Sequence, residues 1–141
     1  MNLYADSSAV LSWLFGEPEG EAVREVLATA DSVLASDLTL VECDRTILRA
    51  QATGRVSEGH AADRRGLLVA TAAHWHLLRL DVDVIERARR PFPAEPIRTL
   101  DALHLASALA ARSALPDLVL LSLDERMRSA GRGLGFTLRP T

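Results

Sequence analysis

The chain has no lysine; all sixteen of its basic residues are arginine. Without an ε-amine there is no Walker A phosphate loop, no Schiff-base chemistry and no lysine partner of the kind receiver domains use. Cys43 is the one cysteine, so no intrachain disulfide can form, which agrees with a reducing compartment. No apolar run approaches the ~20 residues that cross a bilayer, and the chain starts on a strand-like segment instead of a basic and then apolar signal. A cytoplasmic location without membrane contact is therefore expected. Internal repeats, low-complexity tracts and interdomain linkers are also missing.

What is present is the composition of one soluble domain. The 141 residues are enough for one hydrophobic core and short for two, and the apolar share of 48% against 25% charged residues is that of an ordinary globular protein. A net charge of −3 argues against a polyanion as partner. That argument weakens if metal ions neutralise a cluster of carboxylates.

Segments of strand and helix character alternate along the chain. Residues 2–5 are short and apolar and stop at Asp6-Ser7-Ser8, a strand followed by a helix cap. Short helices are expected over 9–15 and 19–30, split by Gly16-Glu17-Pro18, then a strand over 32–35 and a long helix from an Asp37 cap to Thr53. A further helix is expected from Ser57 to about Leu78, and 80–84 is ambiguous between strand and turn. A brief helix over 85–90 gives way to a loop with three prolines, Pro91, Pro93 and Pro96. Thr99 caps the next helix, to Ser113, and Leu118–Leu123 has the continuous apolar character of a strand buried on both faces. A short helix after Asp124 and a strand over 136–138 complete the series. The alternation predicts an α/β sandwich with a mostly parallel sheet and helices on both sides.

Four acids, Asp6, Glu42, Asp101 and Asp124, interrupt apolar stretches. A buried carboxylate neutralises or meets a cation, and four in one small domain suggest a shared one. Oxygen-only ligation suits Mg²⁺ or Mn²⁺, which keep several waters and use one or two carboxylates directly. Such a site suits hydrolysis of a phosphodiester, and without metal at least one carboxyl should titrate abnormally high. Plainer readings exist: an acid after a strand, as Asp6 is, is common, Asp101 can be a first-turn acid, Glu42 a helix-surface partner of Arg45 and Asp124 a cap. Asp6 and Asp124 each follow a strand, so one rim of the sheet could hold both.

The chain resembles the PIN-domain ribonucleases and, among them, the VapC toxins of bacterial toxin–antitoxin pairs. The resemblance lies in Tyr4-Ala5-Asp6-Ser7-Ser8-Ala9, Glu42 with Arg45, Leu100-Asp101-Ala102-Leu103-His104-Leu105-Ala106, and Ser122-Leu123-Asp124. It implies a three-layer α/β/α domain over residues 1–141 and a Mg²⁺-dependent endoribonuclease, with Mn²⁺ as substitute. It also implies a cognate antitoxin, an RNA substrate and a homodimer. Carried onto this chain, Asp6 and Asp101 would ligate the metal, Glu42 and Asp124 would complete the catalytic acids, and Ser7 and Ser122 would orient the carboxylates by hydrogen bonds. In the family the position of Asp124 varies most.

Of the arginine clusters, Arg126 and Arg128 follow Asp124 closely and are the candidates for RNA phosphates. His74 and His76, two apart on an expected helix, point to different faces and make no metal pair. His104, one turn after Asp101, is placed to touch the site but reads better as a core or interface histidine, and Cys43 as a small buried hydrophobe. Trp13 and Phe15 suit the core, or else an antitoxin groove. A phosphatase or phosphoacceptor is disfavoured, because no Asp-x-Asp follows the first strand. The remaining alternative is a PIN-like interaction module without catalysis.

Overall fold

The computed structural model describes residues 1–141. Its elements run β1 (Asn2–Ala5), α1 (Ser7–Leu14), α2 (Gly20–Thr29), β2 (Ser32–Ser36), α3 (Asp37–Ala52), α4 (Glu58–Ala72), β3 (His76–Leu78), α5 (Val82–Ala88), α6 (Thr99–Ala114), β4 (Val119–Leu121), α7 (Glu125–Gly133) and β5 (Thr137–Arg139). The five strands form one sheet in the order β3-β2-β1-β4-β5. Every pairing is parallel, so the sheet is wholly and not mostly so.

Strand residues alternate between two cores. Leu3 and Ala5 of β1 and Val119 and Leu121 of β4 join Val10 and Leu14 of α1, Val23 of α2, Ile47 of α3 and Leu68 of α4. Tyr4 and Leu120, between them, face Leu105 and Ala108 of α6 and Met127 and Ala130 of α7. With α5 packed on α6, the result is three layers, helices on either face of the sheet. Each fully enclosed leucine (Leu3, Leu14, Leu105, Leu120, Leu121) contributes about 1.5–3 kcal/mol by leaving water. α1 and α2 cross so closely that a Cβ on Gly20 would lie 2.5 Å from the Ser12 carbonyl oxygen, so only glycine fits there.

Capping side chains start most helices: Asp6 for α1, Ser36 for α3, Ser57 for α4, Asp81 for α5 and Asp124 for α7. The cap of α3 is thus Ser36, and the expected cap Asp37 is the first helical residue, its charge placed against the helix N-terminus. α6 begins after Arg98 with no side-chain cap, and Thr99 is its first residue.

The stretch after α4 departs most from the sequence reading. The helix ends at Ala72, and His76–Leu78 pairs with β2 as an edge strand. His76 and Leu77 are exposed there, so the strand carries no buried run to betray it. The ambiguous residues 80–84 are neither strand nor turn: Leu80 lies in a short connection, Asp81 caps α5 and 82–84 begin it.

Candidate active site

The carboxyl ends of β1 and β4 lie side by side, Ala5 in register with Leu121, and the acids that follow them share that rim. Asp6 is 2% exposed, and both of its oxygens are held. Oδ1 accepts from the Ala9 amide at 3.1 Å and from Ser8 Oγ at 2.7 Å, while Oδ2 accepts from Ser122 Oγ at 2.5 Å. Ser8 Oγ in turn accepts from the Leu123 and Asp124 amides at 3.0 and 3.2 Å, which ties the β4–α7 connection to Asp6. Ser7 is a correction: its hydroxyl makes no hydrogen bond, and Ser8, one residue on, is the supporting group. Ser122 occupies its expected place.

Asp101 lies in the first turn of α6, half-buried, and neither of its oxygens has a protein partner. Burial raises its pKa, and the Asp124 carboxylate beside it pushes the same way, as does Asp6 more weakly. Burial also raises Asp6, against the opposing pull of Ser122, Ser8 and the Ala9 amide. A raised carboxyl is therefore present twice; desolvation leads in both, and repulsion from neighbouring carboxylates adds to it in Asp101. Asp124 does cap α7, its Oδ1 accepting from the Arg126 amide at 2.8 Å and the Met127 amide at 3.4 Å. Its Oδ2 is left without a protein partner, so capping and a place in the site are compatible.

Glu42 forms no ion pair with Arg45. Its Oε1 meets His104 Nε2 at 2.5 Å, across 62 residues of sequence. His104 is 2% exposed, and its Nδ1 lies 2.9 Å from the Tyr4 hydroxyl. Asp124 and Asp6 thus both act on Asp101, whereas Glu42 is joined to the group through His104. Sequence reasoning placed that histidine within reach of the site but preferred a core or interface role, and it did not foresee the bond to Glu42.

A cleft of about 660 Å³ opens beside Asp101, lined by Ile97, Arg98, Glu125, Arg126 and Ser129 among others. The Arg126 guanidinium is free of protein partners, and so is that of Arg98, which sequence reasoning missed although it stands three residues before Asp101. Arg128 is a correction. Its guanidinium donates to the carbonyls of Ser122 (2.8 Å), Arg139 (3.2 Å) and Pro140 (3.0 Å), so its donors are taken up by backbone. Cys43 is enclosed, and burial pushes its thiol up to about 12, an unreactive group. Trp13 and Phe15 pack against the first core.

The donor set fits a hard divalent ion in one mode. No three His, Cys, Asp or Glu side chains converge closely enough to enclose a metal. An ion that keeps most of its waters needs no such cage: the unpartnered oxygens of Asp101 and Oδ2 of Asp6, which accepts a single hydrogen bond, suit it as ligands, and the free Oδ2 of Asp124 suits its waters.

The chain matches the PIN domain family over residues 3–133. It is 37% identical over 136 residues to Ribonuclease VapC46 of Mycobacterium tuberculosis (strain ATCC 25618 / H37Rv), covering 96% of this chain and 95% of that protein. Among solved structures, Mycobacterium tuberculosis VapC20, a sarcin-ricin loop cleaving toxin, superposes with a TM-score of 0.64 at 15% identity, over 92% of this chain and 95% of that one. A toxin–antitoxin complex from Klebsiella pneumoniae gives 0.64 at 16% identity, over 94% of both chains. At such identities these two bear on the fold alone.

Proposed function

Since the chain belongs to the PIN-domain family, and is related within it to the VapC proteins, we propose that it is a Mg²⁺-dependent endoribonuclease, the toxic member of a toxin–antitoxin pair. The observation that carries the reading is Asp101: a carboxylate with both oxygens unpartnered, beside Asp124 and buried Asp6, at the mouth of a cleft flanked by two free arginines. Asp6 and Asp101 would hold the ion, with Asp124 and Glu42 holding its waters. A divalent ion bound there supplies charge for the phosphodiester oxygens and a water of lowered pKa. Ser8 and Ser122 hold the Asp6 carboxylate in one orientation. Arg98 and Arg126 would seat phosphates flanking the scissile bond.

A protein antitoxin and a homodimer belong to the same proposal. Val41, Val69 and Val82, each more than half exposed on α3, α4 and α5, leave apolar surface for such partners. No helix is long and apolar enough to cross a membrane.

The test is cleavage of total cellular RNA by the purified protein with Mg²⁺, with EDTA, and by Asp101→Asn. The Asp101 carboxylate accepts no hydrogen bond from the protein, so the variant should fold normally. Activity is expected to vanish in EDTA and to fall at least ~100-fold in the variant. Cleavage that survives both would reject the mechanism, and a wild-type protein that cuts nothing would favour the interaction module.

A further inference from the structure

Tyr4, His104 and Glu42 form a buried chain of hydrogen bonds that the proposed chemistry does not use directly. Its geometry links the elements that carry three of the four acids, Asp6, Asp101 and Glu42. Tyr4 is on β1 two residues before Asp6, His104 is on α6 one turn after Asp101, and Glu42 is on α3. The separations are 2.9 Å from the Tyr4 hydroxyl to Nδ1 and 2.5 Å from Nε2 to Glu42 Oε1. Tyr4 and His104 are at most 2% exposed, and the phenol and imidazole rings meet edge-on at 76° with centroids 6.0 Å apart. Glu42 keeps a partly exposed side chain, its second oxygen free of protein partners.

We infer that His104 is a positioning residue for the proposed ribonuclease reaction: Tyr4 fixes its ring as the Nε2–H tautomer, and that N–H locks one oxygen of Glu42, leaving the other for the site. The donor assignments follow from the groups. An ionised carboxylate only accepts, so Nε2 carries the hydrogen facing Glu42. A phenol is protonated at neutral pH, and the enclosed Tyr4 hydroxyl, 2.9 Å from Nδ1, donates its hydrogen there. A free glutamate samples many rotamers. One held by an enclosed N–H presents its second oxygen from a single direction, the task that groups behind ligating or water-holding carboxylates perform.

The inference rests on the ribonuclease reading, and its test separates the two. Nitrogen-15 shifts of the His104 ring are expected to show the neutral Nε2–H tautomer in wild type and a mixture of tautomers once both hydrogen-bond partners are gone, in the Tyr4→Phe/Glu42→Leu double variant. A doubly protonated ring at neutral pH, or the Nδ1–H form, would overturn the inference. Cleavage kinetics supply the second readout. His104→Leu is expected to lose about 10–100-fold in kcat, with KM within about twofold, and His104→Gln, whose amide can still donate to Glu42, to recover most of the loss. A glutamine variant no better than leucine, or a rise in KM at unchanged kcat, would also overturn it. Should wild type cut no RNA, the ribonuclease reading is what fails, and the ring shifts still judge the arrangement. Should the leucine variant not fold, the comparison passes to Tyr4→Phe, which keeps the ring packed and should lose kcat, not KM; unchanged kcat there overturns the inference.

Discussion

Asp6 is enclosed with two hydroxyls and an amide aimed at it, and the hydroxyls do different work. Ser122 serves one carboxylate oxygen. Ser8 serves the other and also receives two backbone amides from the loop that carries Asp124. Removing it strips a donor from a buried carboxylate and orphans the Leu123 amide, while the Asp124 amide keeps Ser122 Oγ, a change that costs about 1–3 kcal/mol. Urea denaturation should show that loss for Ser8→Ala, whereas Ser7→Ala should stay within about 0.5 kcal/mol of wild type. Equal losses would contradict the assignment. Asp6, Asp101 and Asp124 are legible in the sequence because each breaks an apolar run at a strand end or helix start. The choice between Ser7 and Ser8 is not, since it depends on which hydroxyl the first helical turn aims back at its cap. Nor is the Glu42–His104 hydrogen bond, because local spacing offers only Arg45, and the true partner arrives from another helix.

At the level of elements, α7 separates two arginines that look alike in sequence. Arg128 reaches back to close the carboxyl ends of β4 and β5, donating to three carbonyls, while Arg126 one turn ahead of Ala130 looks into the cleft beside Asp101. Arg128→Ala should therefore lower stability by about 1–3 kcal/mol, the usual worth of charged hydrogen bonds, in a denaturation experiment. Arg126→Ala should leave stability alone and flatten the salt dependence of RNA binding, by roughly 0.7 in log–log slope for each phosphate no longer neutralised. A larger flattening in the Arg128 variant than in the Arg126 variant would reverse the roles. The elements themselves are mostly legible from apolar patterning and from glycine and proline breaks. The exceptions are short and exposed: β3 has three residues and no buried run, so only its pairing with β2 defines it.

For the molecule as a whole, the acid cluster makes the metal-free protein sensitive to pH in a direction that can be worked out. Asp6 and Asp101 both have folded-state pKa values raised above the ordinary 3.8, chiefly by burial. Between the unfolded and folded values the native state holds more protons than the unfolded one, so stability falls as pH rises through that window. The stabilising contribution is complete below the unfolded value and lost above the folded one. Asparagine in place of Asp6 cannot ionise, and its side-chain oxygen can still accept from Ser8 and Ala9. In EDTA, thermal melts from about pH 4 to about pH 8 should show wild type losing ground to Asp6→Asn as pH rises, with the variant the more stable at neutrality. Mg²⁺ should raise the wild-type midpoint at neutral pH, because an ion that binds only the folded state stabilises it, and should do little for the variant. Parallel melting curves in EDTA would mean that Asp6 carries no excess proton in the fold. An equal Mg²⁺ shift in both proteins would place the ion elsewhere.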